Sequence, residues 1–385
     1  MKYGIITLFQ NYNYGATLQS YALQRIVKEY GYDVETIQYE RTAINTNKTG
    51  IFNKLTPRKI FCFLAKKIKS TKIKKDNSIF IENDDSIRRY LFDSFIKENM
   101  LISKHAYTKS TIAESNRIYQ GFICGSDNIW NKNLFDSSFM LDFADEKKRK
   151  IAYAPGMSTD HLSKKQQDLF LPPIRRLDYL SCREKIGASL LEKLIKKEVK
   201  VVLDPTLLLS KEQWSEISVS PDINLPPRYA FAYICDHNTL TDIKIKEISK
   251  RLNLPIVLVP NMGGEFKLFG AESVFKVNNV GPAEFIYLVK NSNLVLTDSF
   301  HGTVFACLFE KNFYAFRRFS DTNRMQLNYR IDNLLDLAGI SSSRIIKEVE
   351  DEFNEESINW DNTKRLINQK KNESLLYLKN ALKNN

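Results

Sequence analysis

The chain is short of the features that mark several protein classes. No apolar run approaches the ~20 residues that a membrane span needs, so a transmembrane protein is not expected. Its five cysteines, Cys62, Cys124, Cys182, Cys235 and Cys307, are scattered without C-x-x-C spacing. That spacing gives no disulfide framework and reads as buried free thiols. The four histidines, His105, His161, His237 and His301, form no H-x-x-x-H or H-E-x-x-H pair, so no metal site is expected. Zinc-finger, RNP and helix-turn-helix signatures are also missing, and nucleic-acid binding is not expected. No G-x-G-x-x-G occurs, which argues against a nicotinamide cofactor, and no internal repeat of fixed period appears. The opening Met1-Lys2-Tyr3-Gly4-Ile5-Ile6-Thr7-Leu8-Phe9 has too short an apolar part for a signal peptide and no small-residue cleavage site. It reads as a first strand, and a cytoplasmic location is the expectation.

What the chain does have is core-forming material. At 385 residues, with 43% hydrophobic residues, 24 Phe and 18 Tyr, it exceeds the size at which one core keeps growing. Two domains of roughly 150–200 residues each are the default. Strands and helices alternate: a strand at 2–9, a helix at 15–30 and a strand at 33–39 form a βαβ opening. A charged helix follows near 84–98, then strands at 117–124, 149–154, 178–182 and 200–204. Between Ser218 and Pro227 periodicity is lost and prolines cluster, the signature of a linker. Beyond it come a strand at 229–235, a helix at 240–252, a strand at 255–260, a helix at 282–291, strands at 294–297 and 313–316, and a helix at 328–338. The expected organisation is an N-terminal Rossmann-like domain over 1–217 with a basic insertion near 45–110, a linker over 218–227, a C-terminal Rossmann-like domain over 228–350, and a helical tail over 351–385. That tail either crosses back to the first domain or stays exposed.

Much of the net charge of +12 is local, because nine Lys or Arg and no acid lie between Lys54 and Lys75. Ile60, Phe61, Phe63, Leu64 and Ile68 interleave them. Such a segment either lies on anionic lipid headgroups or packs its apolar face on its own domain.

Leu294-Val295-Leu296-Thr297 runs into Asp298-Ser299-Phe300-His301-Gly302 and directly into a helical pattern, which puts His301 at a strand's carboxyl end. In open α/β sheets that end, with the amino end of the next helix, forms the ligand crevice. His301 is therefore the first catalytic candidate, weighed against a hydrogen-bonded core histidine. Asn13-Tyr14-Gly15 places amide and glycine at the first helix's amino end, where Asn13 can also serve as a plain cap. Gly125-Ser126-Asp127-Asn128-Ile129-Trp130-Asn131 packs acid, amide, hydroxyl and indole after a strand. Such a mixture suits sugar hydroxyls and ring faces, or else a capped helix start with Trp130 in the core. Arg183, directly after a strand, can present a guanidinium fork to a carboxylate or phosphate, or pair with Glu184. Arg317, Arg318, Arg324 and Arg330 add positive charge after His301.

Taken in order, Asn13-Tyr14-Gly15-Ala16 with Gln19, Gly125 to Asn131, Ala152-Tyr153-Ala154, Ser181-Cys182-Arg183-Glu184, Asp204-Pro205-Thr206, Asp298 to Gly302 and Asn328-Tyr329-Arg330-Ile331 resemble the signature blocks of polysaccharide pyruvyl transferases. The resemblance runs from residue 4 to about 340. It implies an α/β fold of two Rossmann-like domains in a GT-B-like arrangement, with the active site in the interdomain cleft. It further implies phosphoenolpyruvate as donor, no cofactor, and a glycan hydroxyl or diol as acceptor. The product is then a pyruvate ketal in a capsule, exopolysaccharide or cell-wall glycan. On that resemblance His301 is catalytic, and Arg183, Ser299, Phe300, Gly302, Arg330 and Arg317 bind the donor. Asn13, Tyr14, Gly15, Ser126, Asp127 and Trp130 are acceptor or cleft residues. Some members carry an Arg two residues before the His, where this chain has Ser299, so Arg330 or Arg317 is expected to supply that contact. A lipid-linked acceptor at the inner membrane face would give the basic segment a role. Two other readings stay open: a GT-B glycosyltransferase using a nucleotide sugar, and a non-catalytic glycan-binding relative.

Overall fold

Two parallel sheets, with buried apolar strands at their centres, organise the molecule. The computed structural model describes residues 1–41, 78–79, 85–262, 274–318, 328–354 and 356–383. The whole basic stretch 54–75 with Cys62, and Arg324, lie outside the described residues. The first part of the chain holds β1 (Lys2–Ile6), α1 (Tyr14–Glu29), β2 (Asp33–Tyr39), β3 (Ser78–Ile79), α2 (Asp85–Asn99), β4 (Ile102–Tyr107), β5 (Gly121–Cys124), β6 (Arg149–Ala152), α3 (Lys164–Arg175), β7 (Ser181–Cys182), α4 (Lys185–Ile195), β8 (Lys200–Val201) and α5 (Lys211–Glu216). After residues 218–229, which form no helix or strand, come β9 (Ala230–Ile234), α6 (Thr239–Leu252), β10 (Ile256–Pro260), β11 (Val274–Lys276), α7 (Pro282–Asn291), β12 (Leu294–Thr297), α8 (Phe300–Leu308), β13 (Phe313–Phe316), α9 (Tyr329–Ala338), β14 (Ile345–Ile346) and α10 (Trp360–Leu382).

The first sheet has the order β4-β2-β1-β5-β6, and the second β14-β13-β12-β9-β10-β11-β3. Numbered in its own chain order, the first reads 3-2-1-4-5. The second, leaving out β3, reads 3-2-1-4-5-6 from its β11 side. Both are the doubly wound Rossmann order, in which ligands bind beyond the strands' carboxyl ends where the order reverses. Those switch points lie between β1 and β5, paired Tyr3 to Gly121, and between β9 and β12, paired Ala232 to Leu296. Among the described residues every strand pairing is parallel, and β9, β10 and β12 are buried along their whole length. Continuous runs such as Leu294-Val295-Leu296 are what a sheet covered on both faces demands.

Three connections weave the sheets together. β3 follows the basic stretch in sequence yet pairs with β11 at the edge of the second sheet. In α2, the buried Arg88 donates to the carbonyls of Pro260 (2.8 Å) and Asn278 (3.1 Å) at the ends of that sheet's strands. Finally α10 returns to the first sheet: Tyr3 donates to the Leu382 carbonyl at 3.0 Å, and Arg149 to that of Ala381 at 2.6 Å.

Two local differences from the sequence expectations have simple causes. The strand expected at 117–124 starts only at Gly121, because Ile112–Arg117 is wound into a 3-10 turn. β4 was not anticipated, since its sequence Ile-Ser-Lys-His-Ala-Tyr is an edge strand whose middle is exposed and lacks apolar alternation.

Candidate functional site

Four chain segments that leave strand ends meet at one carboxylate. β7 and β8 are paired in parallel, Ser181 to Lys200 and Cys182 to Val201. Arg183 and Asp204 follow their carboxyl ends. Asp204 caps a short 3-10 turn: its Oδ1 accepts from the Thr206 amide at 3.0 Å and the Thr206 hydroxyl at 2.7 Å. Its Oδ2 accepts from Arg183 Nη1 at 3.0 Å and from the Ser126 hydroxyl, after β5, at 3.2 Å. His301, in the first turn of α8 after β12, brings Nε2 within 3.5 Å of that same Oδ2. From the first turn of α1, Gly15 lies against the imidazole, and a Cβ there would stand 1.9 Å from His301 Nδ1. A glycine is required at this position because the ring occupies the space a side chain would fill.

The arrangement is buried and charged. Asp204 is 1% exposed, His301 6% and Arg183 7%. Burial works to raise the Asp204 carboxyl, but His301, Arg183 and the Thr206 amide outweigh it and hold Asp204 well below the usual carboxylate range. Burial likewise opposes the Arg183 charge, and Glu184, Asp204 and Asp127 overcome it and raise its pKa. Arg183 is locked in place by Nε to Glu184 Oε1 at 3.0 Å, by Nη1 to Asp204, and by its guanidinium stacked 4.7 Å over the Phe300 ring. One buried donor atom is left over, since Arg183 Nη2 has no hydrogen-bond partner, while His301 Nε2 has only its 3.5 Å approach to Asp204. A buried polar atom without a partner in native geometry costs free energy, so this one is available to an acceptor from outside the chain.

The remaining site candidates separate into those around this centre and those elsewhere. Asp127, at φ +58°, keeps a partly exposed carboxylate 4.0 Å from Arg183. Ser126 is fully buried and holds Asp204. Ser299 caps α8 by accepting from the Gly302 amide, and Gly302 packs so closely on Thr297 that a Cβ would lie 2.4 Å from its hydroxyl. Arg330, in α9, is half-buried, and burial together with the Arg183 charge pushes its pKa down, which places the two cations in one field. Arg317 pairs its Nη1 with Asp332 at 2.8 Å.

Three residues expected in the cleft serve packing instead. Trp130 is fully buried and its indole donates to the Phe139 carbonyl at 2.8 Å, so it offers no platform for a sugar ring. Tyr14 is buried in the core, stacked on Phe285 at 4.6 Å and donating to the Val280 carbonyl at 2.7 Å. Asn13 spends its side chain capping α1 through the Ala16 amide at 3.1 Å. Asp204, the hub of the centre, was missed as a site residue. Its signal in the sequence was an acid at a strand end followed by Pro-Thr, a capping pattern that looks structural. Cys235 stands beside the site after β9, but burial and Asp298 push its thiol up to about 12, so it is no thiolate nucleophile at neutral pH. Among the described residues no three His, Cys, Asp or Glu side chains converge to hold a metal, and no helix is long and apolar enough to cross a membrane.

Solved structures similar in chain path include the UDP-GlcNAc 2-epimerase of Methanocaldococcus jannaschii in complex with UDP-GlcNAc and UDP. It is 14% identical, covers 96% of this chain and 99% of that one, and has a TM-score of 0.45. The glycosyltransferase SnogD of Streptomyces nogalater is 11% identical over 97% of this chain and 95% of that one, with a TM-score of 0.42. The heptosyltransferase WaaC of E. coli with ADP is 9% identical over 96% and 100%, with a TM-score of 0.39. With TM-scores below 0.5, none of them bears on the site. No curated protein matches the sequence. The family comparison is different in kind, because it spans the segments that build the centre, from the α1 cap through Arg183 and Asp204 to His301: residues 13–320 match the polysaccharide pyruvyl transferase model, and the chain belongs to that family.

Proposed function

We propose that this protein transfers the pyruvyl group of phosphoenolpyruvate to two hydroxyls of a glycan, forming a pyruvate ketal and releasing phosphate. The observation that carries the reading is the buried, unpartnered Arg183 Nη2 beside His301, with Arg183 and His301 both held on one carboxylate where the strand ends of both sheets meet. Phosphoenolpyruvate brings a carboxylate and a phosphate, which suit a fixed guanidinium and an imidazole. The reaction begins with proton delivery to the donor's methylene carbon, which leaves positive charge on the carbon bearing the phosphate oxygen. A first acceptor hydroxyl adds to that carbon and gives up its proton. The second hydroxyl then displaces phosphate, the carbon–phosphate-oxygen bond breaks, and the second proton leaves with the phosphate. His301 delivers or relays the proton and takes up the one the first hydroxyl gives up, Arg183 holds the donor's anionic groups, and Asp127 receives an acceptor hydroxyl. Asp204 orients both His301 and Arg183.

The acceptor in this reading belongs to a capsule, exopolysaccharide or cell-wall polymer, and a lipid-linked form fits the basic sequence at 54–75. Neutralising that stretch should then reduce binding to anionic liposomes. Unchanged binding removes the membrane part of the proposal and leaves the chemistry standing.

The test of the chemistry is thermal unfolding with phosphoenolpyruvate, phosphate, UDP, GDP and CMP. A ligand at about 100 times its Kd adds ~2.7 kcal/mol. Phosphoenolpyruvate should stabilise the wild type selectively and His301→Ala less. Stabilisation by a nucleotide alone would move the assignment to glycosyl transfer from a nucleotide sugar.

A further inference from the structure

Helix α1 carries two buried glutamines that are wired alike, and one of them reaches the site. Gln24 donates Nε2 to the Thr36 hydroxyl (2.9 Å) and the Leu101 carbonyl (2.7 Å), and its Oε1 accepts from the Leu101 amide (2.7 Å). That circuit ties β2 to the start of β4. Gln19 donates Nε2 to the Thr7 hydroxyl (3.0 Å) and to the carbonyls of Leu8 (3.2 Å) and Ala16 (2.9 Å), while its Oε1 accepts from the Ser126 amide at 2.9 Å. Thr7 in turn donates to the Ser126 carbonyl at 3.3 Å, so this circuit closes on a single residue. Ser126 follows the last residue pair of β5 and is fully buried, and the two side chains satisfy the backbone groups that a strand partner would otherwise take. Only an amide fits at position 19, because the Ser126 N–H needs an acceptor and the Leu8 and Ala16 carbonyls need a donor.

What the clamp holds is the next residue. Asp127 stands at φ +58°, and among the described residues its partly exposed carboxylate has only the 4.0 Å approach to Arg183. A side chain without a hydrogen bond of its own takes its position from the backbone. Here the backbone is fixed on one side at Ser126 and on the other by the Gly156 amide, which donates to the Asp127 carbonyl at 2.7 Å. Gly15, which lies against the His301 ring, precedes Gln19 by one turn on the same face of α1, about 6 Å along the axis. We infer that Gln19, with Thr7 as its second leg, is a positioning residue that holds Asp127 in register with His301. That role rests on the proposed reaction, in which Asp127 receives an acceptor hydroxyl and His301 moves the proton. The donor side is anchored separately, since Arg183 keeps Glu184 and Asp204.

Gln24 supplies the comparison that separates positioning from plain stability: it has the same chemistry on the same helix but holds Leu101. Wild type, Gln19→Met, Gln19→Glu, Thr7→Val, Thr7→Ser and Gln24→Met are each checked for a cooperative melt. Calorimetry then gives their phosphoenolpyruvate affinity, and phosphate release from phosphoenolpyruvate is followed with methyl glycosides as acceptor probes. Gln19→Met should lose turnover about tenfold or more and raise the KM of the glycoside, as expected for a displaced reacting group. Its Kd for phosphoenolpyruvate should stay within about twofold of wild type. Gln19→Glu should behave like Gln19→Met, Thr7→Val should fall between, and Thr7→Ser, which keeps the hydroxyl, should restore wild-type turnover. Gln24→Met should lose stability and keep its turnover. Equal turnover losses in Gln19→Met and Gln24→Met at matched stability overturn the inference, and so does a donor affinity that falls in step with turnover. Should no glycoside release phosphate in the wild type, the pyruvyl-transfer reading is what fails, and the clamp is read from hydrogen exchange at the Gly156 amide. Faster exchange there in Gln19→Met than in Gln24→Met upholds it, and equal protection overturns it.

Discussion

Asp204 concentrates the chemistry of the site in a single side chain, because Arg183, Ser126 and His301 all meet its Oδ2. Asp204→Asn leaves Arg183 short of a buried counter-charge, and breaking such a pair costs about 3–5 kcal/mol. The pH dependence has a definite sign. The folded carboxyl titrates below the value of about 3.9 of an unfolded Asp, so unfolding takes up a proton between the two values. Its stabilisation is complete above about pH 4 and is lost as pH falls through the folded pKa. Urea midpoints measured from pH 5 down to pH 3 should show the wild type and Asp204→Asn converging. A gap that stays constant would mean that Asp204 is not the ionised partner described here. Gly15→Ala makes a complementary case: alanine favours a helix over glycine by about 1 kcal/mol, but here a Cβ would fall on the imidazole. Turnover should drop at least tenfold while the far-ultraviolet helical signal is retained, and full turnover would show that His301 is not held by this contact. His301 and Arg183 stand out in the sequence because each lies just beyond an apolar strand, and the fold brings both to Asp204. For Trp130 and Asn13 the sequence leaves a core or capping role open beside the cleft role, and the fold gives them and Tyr14 packing and capping contacts, because aromatic rings and amides serve cores and caps as readily as ligands.

Among the elements, α10 does the least obvious work. Ser374 accepts from the Leu203 amide at 2.9 Å, one residue before Asp204, and Tyr377 donates to the Ala152 carbonyl at 3.1 Å. A polar C-terminal helix therefore holds the backbone that presents the central carboxylate. Ser374→Ala orphans a buried amide and should lower stability by about 1–3 kcal/mol. It should also reduce kcat more than it changes phosphoenolpyruvate affinity, since Arg183 keeps Glu184 as its second anchor. Equal losses in a distant surface variant of matched stability would reduce Ser374 to a purely structural role. The strands were the legible part of the fold: buried parallel strands read as unbroken apolar runs, and β9, β10 and β12 stand close to where those runs fall. The pairing of β3 with β11 was not legible, because a two-residue strand carries no periodic signal. The return of α10 was open for a related reason, as its sparse apolar positions fit an exposed helix equally well.

At the scale of the whole molecule, the centre exists only where the two sheets are held together, and one continuous core does the holding. It runs from Ile5 and Leu18 on the first sheet's side through Tyr14 and Phe285 to Phe231 and Val295 on the second, and takes in Leu378 and Leu382 of α10. Tyr14 sits at the join, wedged among Phe92, Tyr233 and Phe285 with ring centroids 4.9, 5.3 and 4.6 Å away. Two Rossmann-like units joined only by a linker would melt separately. A shared core of this kind, crossed by α2 and α10, should make them melt as one, so the calorimetric and van't Hoff enthalpies of the wild type should agree. Tyr14→Ala removes the ring at the join and should cost about 3–5 kcal/mol. More tellingly, it should split or broaden the transition, because what remains ties the halves less tightly than each half is tied to itself. Tyr14→Phe keeps the stack and loses only the bond to Val280, so its melt should stay single with a loss of about 1–3 kcal/mol. Two transitions already in the wild type would mean that the sheets move independently, and that His301 meets Asp204 in only part of the population.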